Sequence, residues 1–203
     1  GRVTAAGVST EGVSKRKLAE LMVGREVVFA LQKPAAATGP VVLDIQDICA
    51  ISDRGLQAID HLSLHVRAGE IVGIAGVAGN GQSELAQAIT GLRKCTCGRI
   101  LINGEDIANL APREAIKRQI AHVPEDRTGV GSAPSLSLAE NLIMKQYRHP
   151  PVGTGWVLNR LVIRKHATEL KAAYDIAAPN IDVQARLLSG GNLQKAILAR
   201  EIS

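Results

Sequence analysis

Residues 76–83 read Gly-Val-Ala-Gly-Asn-Gly-Gln-Ser, and the run is flanked by two different patterns. Before it, Ile71 to Ala75 is a short apolar stretch with no polar face, which predicts a strand buried on both sides of a sheet. After it, Leu85, Ala88, Ile89 and Leu92 recur at i, i+3, i+4 and i+7, one face of a helix. A strand, a glycine-rich turn and a helix in that order form the setting of a phosphate-binding loop. Glycines at 76, 79 and 81 let the backbone turn sharply and aim its N–H groups inward. With the positive end of the following helix, those groups make an anion nest. Ser83 stands where such a loop places the hydroxyl that ligates magnesium. At Gln82 the pattern calls for lysine, which would bring a point charge to the β- and γ-phosphates; glutamine offers only an amide dipole. Without a ligand the same residues make a tight strand-to-helix turn, and the loop by itself leaves both readings open.

Outward from the loop, Val41, Leu43 and Ile45 alternate with polar residues, as do Leu62, Leu64 and Val66, which predicts two half-buried strands. Ile100 to Ile102 is a further strand ended by an Asn103-Gly104 turn. Pro112 opens a helix through Ile116, and Ile120 to Val123 is another short strand. From Ser137 the pattern turns helical, with helices over Leu138 to Tyr147, Arg160 to Ile176 and Leu193 to Ile202. Pro150-Pro151 and the Gly153 to Gly155 loop separate the first two, and Pro179 to Arg186 connects the last. At the other end, Ser14 caps a short helix through Lys17, Leu18, Leu21 and Met22, preceded by a basic, extended Gly1 to Val3. Gln32 to Pro40, rich in Pro, Ala and Gly, reads as a linker, so a domain boundary is expected at about residue 40.

Composition narrows the function. At 46% hydrophobic and 21% charged, a folded chain is expected; with 2% aromatics its core must be aliphatic. The net charge of +5 is dispersed, and its densest run, Lys15-Arg16-Lys17, is short. Together with the basic Arg160 to Lys171 helix it reads as solvated surface and not as a nucleic-acid footprint. Cys49, Cys95 and Cys97 are too few and odd in number for a disulfide framework, and a reducing compartment fits them. Cys95 and Cys97 have no neighbouring Cys/His pair in sequence for zinc. No apolar run is long enough to span a bilayer, and Val3 to Val8, short and mixed with Thr4 and Gly7, is not expected to be a signal peptide.

A second motif, Leu187 to Glu201, reads LLSGGNLQKAILARE. Ser189-Gly190-Gly191 at a helix start exposes unpaired N–H groups and a hydroxyl, although such a start is common without any ligand. Arg127 is a candidate phosphate or interdomain contact, or else a surface ion pair. Trp156 suits packing or a partner contact, and His122 a strand position rather than catalysis.

The glycine loop, a strand ending Val123-Pro124-Glu125-Asp126, a helical insertion and LSGGN-QK-LARE follow in an order that resembles ABC transporter ATPases. The resemblance implies an α/β P-loop NTPase core sheet with an inserted helical subdomain. It implies ATP and Mg as ligands, with nucleotide at Gly76, Gly79, Asn80, Gly81, Gln82, Ser83 and Glu84, and Mg at Ser83. Leu188, Ser189, Gly190, Gly191 and Asn192 look like the ABC signature. Glu125, followed by Asp126 and Arg127, falls where the family places its Q-loop glutamine, which senses the magnesium site and contacts the membrane subunit.

Pro124 to Arg127 followed by Ser137 to Leu142 is similar to the second ATPase half of tandem importers for simple sugars and nucleosides, and Gly73 to Leu85 to the nucleoside branch. A non-lysine residue at position 82 is a habit of that half. Residues 1–40 then correspond to the tail of a preceding ATPase domain plus linker. Residues 41–203 correspond to a second domain: nucleotide-binding core 41–136, helical subdomain 137–190, signature and following helix 188–203. The family's hydrolytic Asp-Glu strand, the Walker B strand, would follow Ser203 and its switch histidine later still. The resemblance therefore implies a piece truncated before these elements, without hydrolysis of its own. Implied partners are the other ATPase half, transmembrane permease subunits and, indirectly, a substrate-binding protein, with no nucleic acid. The implied place is peripheral, on the cytoplasmic face of the cell membrane. No aromatic between Val41 and Arg67 is available to stack on adenine. An ABC-type ATPase working on nucleic acid, in repair or on ribosomes, and an inactive truncated product are the alternatives.

Overall fold

The structure, a computed structural model, describes residues 3–9, 11–24, 37–154 and 156–203. Gly1 and Arg2, residues 32–36 of the expected linker, and Gly155 lie outside the described residues. The chain divides into two units, Gly1–Thr38 and Gly39–Ser203. In the first, helix α1 (Lys15–Val23) starts where expected, because the Ser14 side chain accepts a hydrogen bond from the Lys17 N–H at 3.2 Å.

The second unit opens with β1 (Val41–Ile51) and β2 (Gln57–Arg67). Helix α2 (Gln82–Ile89), β3 (Cys95–Ile102), β4 (Glu105–Asp106) and α3 (Pro112–Lys117) follow. The strands form one antiparallel sheet in the order β2-β1-β3-β4. Alternation along β1 turns Ile45 inward, and a register shift between Ile45 and Ile48 then brings Ile48, Cys49 and Ala50 inward together. Asn103 and Gly104, both at positive φ, make the tight turn from β3 to β4. Leu85 and Ala88 of α2 share a core with Ile45, Ile48, Ile59 and Ile100 of the sheet.

Two expected strands do not form. Residues 71–75 and 120–123 are irregular, and Ile71, Val72 and Ile74 are exposed. A strand buried on both sides needs ladder partners on both sides for its N–H and C=O groups. Among the described residues no strand lies alongside either segment, so apolar composition alone does not produce one.

The remaining regular elements among the described residues are helical: α4 (Leu138–Leu142), α5 (Arg160–Ala173), a 3₁₀ turn at Ala185–Leu187 and α6 (Gly190–Ile202). Helix α4 stops five residues before the expected end; beyond it, Gln146 and Tyr147 close turns on the Ile143 carbonyl. Helix α6 starts three residues earlier than expected, because Ser189 caps it. A separate core forms here from Leu138, Leu142, Ile163, Ala167, Leu170 and Ala199. Asn141, 4% exposed, lies on the buried side of α4 with its amide fully engaged, donating to Ala133 and Ser137 carbonyls and accepting from the Ala133 N–H. At the start of α4, Ser137 and Glu140 form a reciprocal capping box. Ser137→Ala is expected to cost about 1 kcal/mol and to lower Tm by roughly 2–4 °C; a thermal melt of the full chain checks it, and an unchanged midpoint would show the cap to be idle.

Cys49 and Cys97 are disulfide-bonded, which corrects the expectation of unpaired cysteines. They are cross-strand partners in the β1–β3 register, with Cα atoms 5.0 Å apart, a juxtaposition that sequence spacing cannot reveal. Cys95 is a free, buried thiol. The basic α5 helix is an ion-paired surface: Arg164 meets Asp182 at 2.9 Å, and Lys165 meets Glu169 at 4.0 Å. Trp156 is 98% exposed, so it does not pack within the chain. Among the described residues no helix is long and apolar enough to cross a membrane.

Candidate functional site

The glycine-rich segment leaves the sheet side as an irregular loop and enters α2 at Gln82. Gly81 precedes the helix at φ 94°, with its α-carbon against the Ala58 carbonyl of β2: an added Cβ would lie 2.3 Å from that oxygen. Only glycine meets both conditions. Since Gly81 has no side chain, no side-chain cap satisfies the first-turn N–H groups of α2, which leaves them directed at whatever lies ahead of the helix. Ser83 is exposed on that first turn, and Glu84 is half-buried beside it. Gly79 and Asn80 form the crest of the loop. A cavity of about 350 Å³ lies against it, lined by Ala58, Asp60 and Leu62 from β2 and by Ile74, Gly76 and Asn80. Sequence reasoning did not find this β2 wall, because the pairing of loop and strand is non-local.

Gln82 folds back across the loop. Its Nε2 donates to the Val77 carbonyl at 3.4 Å, and a Cβ on Gly76 would fall 2.2 Å from the same nitrogen. Gly76 therefore makes the room that the amide fills. The uncapped N–H groups and the exposed Ser83 hydroxyl fit a phosphate with its magnesium, provided the Gln82 amide swings away from Val77.

The Glu125 to Arg127 segment is a turn, not the end of a strand. Asp126 holds it by accepting the Thr128 and Gly129 N–H groups on Oδ1, at 3.0 and 2.9 Å. Glu125 is exposed. Arg127 reaches the signature helix: its Nη1 donates to the Gly190 carbonyl at 3.2 Å and to Gln194 Oε1 at 3.3 Å. This is an inter-segment contact and not an ion pair.

At the start of α6 the Ser189 hydroxyl accepts from the Asn192 N–H at 3.4 Å and from Asn192 Nδ2 at 2.9 Å. Asn192 Oδ1 in turn accepts the Ala177 N–H at 2.8 Å, which ties the helix start to the segment that follows α5. Leu188 packs half-buried on the helical core. Gly191 has nothing within 4 Å of an added Cβ, and at Gly190 the nearest atom is Arg127 Nη1 at 3.6 Å. Neither glycine is required by the chain's own packing.

Sequence reasoning missed a strut at the other end of α6. Glu201, its side chain 6% exposed, accepts on Oε2 from the His122 N–H at 3.0 Å and from Lys145 Nζ at 2.8 Å. Its Oε1 accepts from Arg200 Nε at 2.9 Å. Burial pushes this carboxyl up, but the His122 N–H and the Lys145 and Arg200 charges outweigh it and hold the group below the usual carboxylate range.

Residues 59–203 match the ABC transporter family. The chain belongs to that family. It is similar to the glucose import ATP-binding protein TsgD13 of Haloferax volcanii, 47% identical over 97% of this chain and 36% of that protein. It is similar also to the guanosine import ATP-binding protein NupO of Bacillus subtilis, 47% identical over 92% of this chain and 36% of that protein. The chain thus spans 36% of the length of these two curated relatives. A bacterial ABC transporter cassette solved as a dimer aligns with a TM-score of 0.62 at 25% identity, over 79% of this chain and 68% of that one. A nucleotide-free ATP-binding cassette aligns at 0.62 and 22% identity, over 80% and 64%. The fold is the α/β P-loop cassette of ABC ATPases, here with an antiparallel sheet and an inserted helical part.

Proposed function

We propose that this chain is part of the ATP-binding subunit of an ABC importer that takes up a simple sugar or nucleoside. On this reading residues 1–40 are the tail of a preceding ATPase domain with its linker, and residues 41–203 belong to a second one. That subunit lies peripherally on the cytoplasmic face of the membrane. It works with transmembrane permease subunits, with the other ATPase half and, through the permease, with a substrate-binding protein. The names of the glucose and guanosine relatives support the substrate class.

One observation carries the nucleotide reading: the first-turn N–H groups of α2 have no side-chain cap behind Gly81, and α6, capped by Ser189, begins with two exposed glycines. At the first, N–H groups of residues 81–83 orient phosphate oxygens, Ser83 offers its hydroxyl to Mg, and Gln82 contributes an amide where a lysine would bring charge. Bound ATP with Mg supplies the phosphoryl group whose transfer drives transport. At the second, Ser189, Gly190 and Gly191 present a hydroxyl and N–H groups to a phosphate arriving from another domain, and the bare glycines admit its close approach. Glu125 takes the Q-loop place, between the nucleotide and the permease.

Gln82→Lys is expected to tighten Mg-ATP binding by about 1 kcal/mol, roughly fivefold, because a charge-assisted contact replaces a neutral one. Calorimetry on the two proteins measures it; equal affinities would mean the loop is not a phosphate site. For the transport assignment, cells lacking the full-length gene should lose uptake of labelled glucose or guanosine. Unchanged uptake of sugars and nucleosides would remove that class.

A further inference from the structure

The sheet order β2-β1-β3 brings together three side chains that are far apart in sequence. Cys49 of β1, Cys97 of β3 and His61 of β2 each place one ligand atom within 4.8 Å of the others. Cys49 is 6% exposed, Cys97 half-buried and His61 open to solvent, so the cluster has a closed floor and an open mouth. A fourth group steadies it. The Asp47 carboxylate lies 2.9 Å from Nδ1 of His61, and the Asp47 carbonyl lies 3.1 Å from Cys97 Sγ. Asp47 and His61 both sit at positive φ, 53° and 47°, beside the irregular stretch of β1. Such conformations cost energy in residues other than glycine and collect at functional positions.

We propose that Cys49, Cys97 and His61, in the dithiol state, form a binding site for a thiophilic divalent cation of the zinc type, with Asp47 orienting the imidazole. Two thiolates and one imidazole are a donor set that Zn²⁺ accepts, leaving the fourth tetrahedral position to water or a carboxylate. A tetrahedral ion with Zn–S near 2.3 Å holds two sulfurs about 3.8 Å apart. Strand neighbours with Cα atoms 5.0 Å apart reach that spacing by side-chain rotation. A carboxylate beside the ligating imidazole is the usual outer partner of such sites.

The disulfide is the closed state of the same site. A dithiol reductant breaks the Cys49 Sγ–Cys97 Sγ bond, delivers two electrons and two protons to the sulfurs, and leaves as its own disulfide. Ion binding then releases both thiol protons. Loaded, the ion pins the three strands together at the bulge.

The test is titration of the full chain with Zn²⁺, once after reduction and once with the disulfide intact, with Co²⁺ absorption as a second readout. The reduced protein should bind one ion per chain, show a thiolate-to-cobalt charge-transfer band and resist thermal unfolding better with the ion than without it. The disulfide form should bind at least about 100-fold more weakly. Cys97→Ser should lose at least about 100-fold in affinity, and Asp47→Ala about 10-fold. The exposed His61→Ala answers even if Cys97→Ser fails to fold, and should lose at least about 10-fold. Cys95→Ser, which alters a buried thiol outside the cluster, should change nothing. Equal zinc affinity in the reduced and disulfide forms, or in wild type and His61→Ala, would overturn the proposal. So would loss of binding on Cys95→Ser.

Discussion

Ser189→Arg is expected to lower ATP turnover of the full-length protein by about 100-fold or more, the scale of losing an oriented donor at a phosphoryl-transfer site. The Ser189 hydroxyl holds the first turn of α6 through Asn192, and losing that cap costs about 1 kcal/mol, too little to unfold the helical core. Ser189 is exposed, so an arginine there extends into solvent without disturbing the fold. What it obstructs is the phosphate that the proposed arrangement brings from the other ATPase half. Gln82→Ala, which removes a neutral amide bonded here to the Val77 carbonyl, should cost much less. Steady-state phosphate release with Mg-ATP compares the two, and if Gln82→Ala proves the more damaging, the two sites have been assigned the wrong way round.

Glu201→Ala should destabilise the fold by about 2–3 kcal/mol. Removing the carboxylate strands the Lys145 ammonium, 20% exposed, the Arg200 guanidinium, 10% exposed, and the His122 N–H. Because the folded state holds this carboxyl below its unfolded value, its contribution is complete above the ordinary carboxylate range. It disappears as pH falls through the lowered folded value. Urea unfolding at neutral and acidic pH separates the effects: the variant should lose stability at neutral pH and show a flatter acid limb. Parallel acid limbs in wild type and variant would show that the strut does not titrate with folding.

Much of the local architecture was legible because its causes are local. Ser14 and Ser137 each satisfy N–H groups within one turn, and Asn103-Gly104 closes a hairpin from its own backbone preferences. The glycine loop and LSGGN were legible as patterns, since each is a few consecutive residues whose N–H groups act together. Ile71 to Ala75 misled because apolarity reports a wish for burial, while strand formation depends on neighbours that the stretch itself does not specify. The Cys49, His61 and Cys97 cluster escaped for the same reason: each residue is ordinary in its own strand, and only the order β2-β1-β3 makes them adjacent. The fold-back of Gln82 onto Val77 was also beyond reach, because a side-chain rotamer leaves no periodic trace.

The sheet core and the helical core have no residue in common, and residues 120–131 run between them. Ile120 packs on the sheet core, the His122 N–H bonds Glu201 of α6, and Arg127 bonds Gly190 at that helix's other end. Between these two polar contacts the Ile197 side chain of α6 comes up against Gly131, so the segment is also packed on the helix. Both polar fixings of the segment lie on α6, so a change in residues 120–131 reaches the helix that carries LSGGN directly.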